Sequence, residues 1–358
     1  MPRDSGSLRA ILALKAAPGL GDTRLLALLE SCGSAEAALA ELRRRSPEAA
    51  AGLESRAVRD RIERAYRSVC DVPTSVFVIG EPRYPAFDGL VDPPPVLFAR
   101  GDLSLLDRPS VAVVGSRRHT EYGADATRRI VTALAGAGVV VASGLAHGID
   151  RIAHESALEC GGATFAVIGS GIDVEYPTAN ARLQRRIARK GLVLSEFMPG
   201  DPALRHHFPK RNRLLAALTT AVVVVEAAGR SGSLITADHA LDLGRDVLAV
   251  PGPIGRSTSE GTNRLIREGA AIVTTPEDVL EAIGILPAPA SRDAIASGAG
   301  LGEPGRTVLS ALGDGPRHVD DLSRSAGLDP AAVLGTLLEL ELAGLVRQFP
   351  GKRFGRAA

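Results

Sequence analysis

Along the first 72 residues apolar positions recur every three or four. That spacing predicts helices over Leu8–Ala17, Asp22–Ser31 and Ser34–Arg45, with a more charged one over Arg56–Ser68. From Ser110 the pattern changes to short, almost unbroken apolar runs at Val111–Val114, Val139–Ala142, Thr164–Ile168, Leu192–Ser195, Ala221–Glu226, Asp246–Val250 and Ala271–Thr274. Helical or loop segments separate them through about Ile285. Strands without polar alternation are buried on both faces, which predicts an α/β fold with a doubly wound, mostly parallel sheet. Val76–Ile79 reads as a further strand, and the proline-punctuated YPAFDGLVDPPPVLFARGDL, which cannot be regular helix, as the lead-in to the sheet. Pro287–Pro304 has the Pro, Ala, Ser and Gly content of a linker. Beyond it come a helix from Arg306, a short helix in HVDDLSRSA, a turn at Gly327–Pro330, a third helix to Ala343, and a hairpin-like wing over Leu345–Phe354, together a winged helix pattern. The expected division is a helical domain over 1–72, the α/β domain over 73–285, a linker over 286–304 and the winged helix over 305–358, within the two or three units that 358 residues suggest.

Composition changes this picture little. A 45% hydrophobic and 23% charged chain can bury a sizeable core. With 42 Lys and Arg against 41 Asp and Glu, a nucleic-acid footprint has to be local. Cys32, Cys70 and Cys160 lie far apart with no CxxC pair, which argues against a disulfide framework and a zinc ribbon. The most apolar stretch, Ala216–Ala228, is shorter than a membrane span and contains Thr219, Thr220 and Glu226. A cytoplasmic, reduced protein away from the membrane is expected.

The candidate chemistry sits in loops that follow strands and open helices, where backbone N–H groups meet anions. Gly115-Ser116-Arg117 lacks both the GxGxxG fingerprint and a Walker A loop. It nonetheless offers a close backbone approach, a hydroxyl and a bidentate cation suited to phosphate. In the second loop, Ser143 to Asp150, the spacing of His147, Asp150 and His154 resembles a metal set, but Asp150 is more simply the N-cap of the next helix and no metal is expected. Between Arg182 and Arg213 nine Lys or Arg face only Glu196 and Asp201. This cluster is the expected nucleic-acid footprint. Within it RHHFPKRNR contains Pro209, breaks helical periodicity and sets Phe208 among cations, as base stacking beside a phosphate requires. Plain core packing of Phe208 is the alternative. The last loop, GRSGS, is not a GxSxG elbow, and its small hydroxyl residues at a helix start suit an anion better than covalent catalysis. In the N-terminal region PGLGDTRLLALL resembles a helix-hairpin-helix turn, although a small helical bundle with a glycine turn is the preferred reading.

Taken in order, VAVVGSR, SGLAHGIDRIAH, FAVIGSGIDVEYP, LVLSEF, FPKRNRLLAAL, VVVVEAAGRSGSLITADHAL, GRDVLAVPGP and GTNRLIREGA resemble the DNA-processing protein A family (DprA, also called Smf) from about Pro82 to Ile283. The resemblance implies an extended Rossmann-like core that binds single-stranded DNA and hands it to the RecA recombinase during natural transformation and homologous recombination. It also implies a homodimer with neither catalysis nor cofactor. Residue by residue, Gly115, Ser116 and Arg117 are similar to the family's phosphate loop, and Ser143 and Gly144 to a second wall of the same pocket. Arg205, Phe208, Lys210, Arg211, Asn212 and Arg213 resemble its basic motif, and Ser231, Gly232 and Ser233 the opposite rim. His147 takes no firm role. The N-terminal helices are similar to a SAM-like domain, and the winged helix to an accessory domain of some members. Two other readings stay open. Similar cores occur in lysine-decarboxylase-like phosphoribohydrolases acting on nucleoside monophosphates, whose PGGxGTxxE loop GRSGSLITA matches poorly, lacking the Glu. The winged helix could also sense duplex DNA.

Overall fold

The structure is a computed structural model that describes residues 5–285, 303–313, 315–342, 345–349 and 351–356. By contacts it divides into Met1–Ile285 and Leu286–Ala358. Most of the expected linker, 286–302, lies outside the described residues.

The first unit begins with five helices, α1 (Ser5–Ala16), α2 (Asp22–Cys32), α3 (Ala35–Arg45), α4 (Pro47–Glu54) and α5 (Arg56–Asp71). Ser34, Ser46 and Ser55 each precede a helix and accept a backbone N–H from its first turn, so serine caps divide this region. The short α4, opened by Pro47 behind its Ser46 cap, is the one helix here that apolar spacing does not reveal.

The strands are β1 (Ser75–Val78), β2 (Val96–Gly101), β3 (Ser110–Val114), β4 (Val140–Ser143), β5 (Thr164–Val167), β6 (Leu192–Ser195), β7 (Ala221–Val224), β8 (Asp246–Ala249) and β9 (Ala271–Ile272). They form one sheet ordered β1-β2-β6-β5-β4-β3-β7-β8-β9. From β6 across to β9 neighbours run parallel, while β2 pairs antiparallel with β6 and β1 with β2. The sheet is thus mixed but mostly parallel and doubly wound, as expected. The addition is β2: its apolar VLFA starts directly after Pro95 and is wholly buried, so the prolines end before the ladder begins.

Helices α6 (Glu121–Gly136), α7 (Ile149–Glu159), α8 (Ala181–Lys190), α9 (His207–Ala217), α10 (Gly232–Asp242), α11 (Glu260–Arg267) and α12 (Pro276–Ala282) cover both faces. Along β3, Val111 and Val113 pack with Ile130 and Leu134 of α6, whereas Ala112 and Val114 pack with Leu214 and Leu215 of α9. The period of two is present but carries no polar member, because each face meets helices. The N-terminal helices share a single apolar cluster with Val96 and Phe98 of β2 and Ile187 of α8. Arg100 of β2 also donates to the Ser68 carbonyl of α5 at 2.9 Å.

From β3 the chain steps outward through β4, β5 and β6, then returns to the other side of β3 as β7 and continues outward. Loops leaving the carboxyl ends of β3 and β7 therefore diverge, which is where such sheets open a crevice.

The second unit consists of α13 (Glu303–Ala311), β10 (Arg317–His318), α14 (Val319–Ala326), α15 (Pro330–Leu342), β11 (Val346–Phe349) and β12 (Arg353–Arg356), with the sheet ordered β10-β12-β11. Val308, Leu322, Leu337 and Phe354 are among its buried core. The winged helix pattern is thus realised, with β10 as an added strand. Among the described residues no helix is long and apolar enough to cross a membrane.

Candidate nucleic-acid interface

A small, solvent-open cleft lies beyond the carboxyl ends of β4 and β5. Its walls are Arg117 from the loop after β3, Gly144 to His147 after β4, Ile168 to Ser170 and Tyr176-Pro177 after β5, and Phe208 at the start of α9.

Two glycines allow the loops to converge. A Cβ on Gly144 would lie 2.6 Å from the Arg211 guanidinium and 2.7 Å from Asp150 Oδ2. Gly148 has φ of 80°, and a Cβ there would approach the Ser116 carbonyl to 2.2 Å. The second loop therefore lies directly under the Arg117 loop, and the Ile149 N–H donates to the Ser116 carbonyl at 3.2 Å. Leu145 occupies the left-handed region at φ 57°, a conformation costing about 1 kcal/mol. Its buried side chain and the Asn180 amide, which donates to the Leu145 and Ala146 carbonyls at 3.0 and 3.1 Å, hold it there.

Arg117 is exposed, and its guanidinium carbon lies 5.5 Å from the Phe208 ring centroid. Phe208 is half-buried and tilted by 40° against Tyr176, with centroids 5.7 Å apart. Two aromatic faces and one cation thus meet in the cleft.

The other expected site residues take different positions. Gly115 and Ser116 lie in the loop leading to Arg117, where the Ser116 hydroxyl accepts the Arg118 N–H at 3.1 Å. Arg205 is exposed just ahead of α9. Ser143 is wholly buried and donates to the Val113 carbonyl at 2.7 Å, so it ties β4 to β3 rather than facing the cleft. Arg211 is buried, donating to the Gly144 carbonyl at 2.7 Å and to the Val167 carbonyl. Burial and the charge of Arg117 push its pKa down to about 10, against the pull of Asp150, which leaves it protonated at neutral pH. Arg213 is buried against Glu196 at 2.7 Å and Asp92 at 3.1 Å. Asn212 donates to the Gly232 carbonyl at 3.2 Å. Ser231 caps α10, its hydroxyl 2.8 Å from that of the buried Ser233, and Ser231, Gly232 and Ser233 do not line the cleft.

The expectation that RHHFPKRNR breaks helical structure is corrected. Pro209 stands in the first turn of α9, where its missing N–H has no partner to lose, and the helix continues through Ala217. Helical geometry then turns Arg211 and Arg213 inward while Phe208 reaches the cleft.

Lys210 is also engaged internally, with Asp22 of α2 and with Glu196 at 3.3 Å. Lys15 meets the same Asp22 at 2.9 Å. Burial would raise the Asp22 carboxyl, but Lys15 and Lys210 outweigh it and hold the pKa at about 2. A folded-state value below the unfolded one stabilises the fold above the unfolded pKa, and the contribution fades as pH falls through the folded one. Asp22→Asn is therefore expected to cost about 1–2 kcal/mol at pH 7, the difference shrinking between about pH 5 and pH 2 in urea melts of the two proteins. A constant difference across that range would contradict the pairing.

The metal-like trio is dispersed. Asp150 accepts the N–H groups of Gly144 and Ala146 at 3.1 and 3.2 Å, so it braces the preceding loop instead of capping its own helix, whose N-cap is Gly148. His154 is wholly buried, with Nδ1 2.7 Å from the Thr164 hydroxyl. His147 remains at the cleft.

The crevice between β3 and β7 is filled from within. Glu226, 3% exposed, accepts the Thr120 N–H at 2.9 Å and its hydroxyl at 2.6 Å, directly before α6. A carboxylate of the chain itself thus takes the place that a bound phosphate would occupy at that helix start.

Tyr176 and Pro177 were given no role by sequence reasoning. The usable signal was a tyrosine a few residues beyond a buried strand, at the sheet end where ligands bind, in a chain with only 3% aromatic residues.

A doubly wound, mostly parallel sheet with a cleft beyond its strand ends, in one chain with a winged helix, defines the class of protein. Residues 75–284 match the family model of DNA recombination-mediator protein A, and residues 287–352 that of the DprA winged helix domain. The chain belongs to the DNA recombination-mediator protein A family. It is 42% identical over 266 residues to Protein Smf of Escherichia coli strain K12, covering 73% of this chain and 71% of that one. To the DNA processing protein DprA of Streptococcus pneumoniae it is 51% identical over 191 residues, 53% of this chain and 67% of the relative. The X-ray structure of the Streptococcus pneumoniae protein superposes with a TM-score of 0.66 at 40% identity, covering 78% of this chain and 98% of that one. A DNA processing protein A from Helicobacter pylori, studied for its single-stranded DNA binding mode, superposes with a TM-score of 0.54 at 33% identity over 59% of this chain and 96% of that one.

Proposed function

We propose that this protein binds single-stranded DNA in the cleft and acts as a non-catalytic recombination mediator, passing the strand to a RecA recombinase in the cytoplasm during DNA uptake and recombination. The observation that carries the reading is the convergence of Arg117, Phe208 and Tyr176. A base has an aromatic face to stack on, and the phosphate beside it a guanidinium, without base-edge readout. The family description as a recombination mediator supports the transfer step. A homodimer is part of the proposal, supported by the edge strand β9, which among the described residues pairs only with β8 and leaves Ile272 half exposed.

Glu226 weighs against an enzyme acting on a nucleoside monophosphate, because its carboxylate would repel a phosphate at the start of α6. For a duplex sensor, α15 is the helix expected to enter a groove. It has no Lys or Arg between Pro330 and Leu342, and Leu334 and Leu338 are exposed on it. That surface lacks the cations duplex binding requires.

Fluorescence anisotropy with a labelled oligothymidylate tests the reading. Phe208→Ala is expected to weaken binding by about 1–3 kcal/mol, the worth of one stacked base. Equal affinity of variant and wild type, or release of free base from a nucleoside monophosphate by the wild type, would reject it.

A further inference from the structure

Helix α9 starts between two cavities. Phe208 lines the cleft, whereas the adjacent His207 lines a separate, larger recess of about 520 Å³. Arg61 and Arg64 of α5 form one wall of this recess, so it exists only where the N-terminal helices dock on the sheet. The segment Pro199–Pro202 with Leu204, and Asp173, supply the rest.

Two arginines and two aspartates line it, and they are engaged differently. Asp201 is taken by Arg61 at 2.6 Å and by the Met198 N–H at 3.1 Å. Asp173 accepts the Gly200 N–H at 2.7 Å. Arg64 is exposed and, like Asp173, has no ion pair among the described residues, so its guanidinium is available to a phosphate from outside.

His207 is 9% exposed and stacks on Phe197 with ring centroids 3.9 Å apart. Its Nδ1 lies 3.2 Å from the Gly169 carbonyl, which can only accept, so Nδ1 carries the proton and Nε2 is an acceptor. Burial lowers the pKa of the ring and keeps it neutral. No protein donor among the described residues engages Nε2. Pro199, Pro202 and Leu204 add an apolar wall. A cation, a bare acceptor and an apolar surface within one recess match a nucleobase with its phosphate.

We propose that this recess is a second nucleotide subsite, in which a base of the bound strand lies against Pro199, Pro202 and Leu204, donates an N–H to His207 Nε2, and places its phosphate on Arg64. The inference rests on the single-stranded DNA reading above. Since Phe208 and His207 are successive residues with Cα atoms about 3.8 Å apart, one strand passing around the first turn of α9 serves both cavities. Arg205, two residues before His207, is exposed.

The test uses the full chain and labelled oligothymidylates of increasing length. Wild-type affinity is expected to rise in a step once the strand outgrows the cleft. Arg64→Glu should remove that step, about tenfold, leave the shortest oligonucleotides unaffected, and lower the slope of log K against log salt for long ones by about 0.7. Photo-crosslinking with iododeoxyuridine in long oligonucleotides should label the segment Pro199–Leu204, which excludes Phe208, as well as the peptide carrying Tyr176. Unchanged affinity of Arg64→Glu at every length, or crosslinks confined to the Tyr176 peptide, would overturn the subsite and leave the cleft reading standing. A wild type that binds no oligonucleotide would overturn both.

Discussion

Replacing Arg211 by alanine should cost about 3–5 kcal/mol of stability, the largest single-residue effect expected in this chain. Its guanidinium donates to the Gly144 and Val167 carbonyls at the ends of neighbouring strands, in two buried hydrogen bonds. Removing it strands two buried acceptors, each costing about 1–3 kcal/mol. It also deprives the buried Asp150 of the charge that offsets its desolvation. Thermal melts should show a midpoint lower by about 10 °C. Arg211→Lys should recover little, because one ammonium cannot span both carbonyls as a planar fork does. A midpoint within about 2 °C of wild type would mean that the guanidinium is not structural.

Arg117→Glu is expected to behave in the opposite way. The side chain is exposed and has no ion pair among the described residues, so stability should stay within about 0.5 kcal/mol. Affinity for single-stranded DNA should fall about a hundredfold, from loss of a charge-assisted phosphate contact and the repulsion that replaces it. The loss should be alike for all base sequences, since a phosphate contact carries no base code. Anisotropy titrations with oligonucleotides of different composition would measure it, and a loss confined to one composition would point to base recognition instead.

The two arginines show what could be read in the sequence. Strand positions are legible because β3, β4, β5 and β7 are hydrophobic on both faces, and few alternatives bury such runs. Family membership is legible because its motifs occur in order. What the sequence conceals is direction. Arg211, Arg213 and Lys210 count as cations in any charge tally, yet α9 turns the first two into the interior and sets the third against an acid of another helix. Charge density locates α9 without saying which side faces the ligand. Pro209 compounds the difficulty: proline disrupts a helix interior and is tolerated in a first turn, and the boundary was not marked by a capping side chain, since His206 makes no such bond. Tyr176 is hidden for a different reason. It reaches Phe208 through the return of a loop whose path depends on Asn180 gripping the preceding loop, a contact between segments far apart in the chain.

The carboxylate of Glu226 carries a consequence for the protein in a cell. A sheet of this kind ordinarily leaves its central crevice open to whatever small phosphate compounds are abundant, and a protein with a vacant crevice would have its occupancy set by metabolism. With an acid of its own fixed in that place, the crevice has no free-nucleotide concentration to sense. Any shift in melting temperature caused by ATP or nucleoside monophosphates should therefore come from the Phe208 cleft and be lost in Phe208→Ala, with none arising at the start of α6.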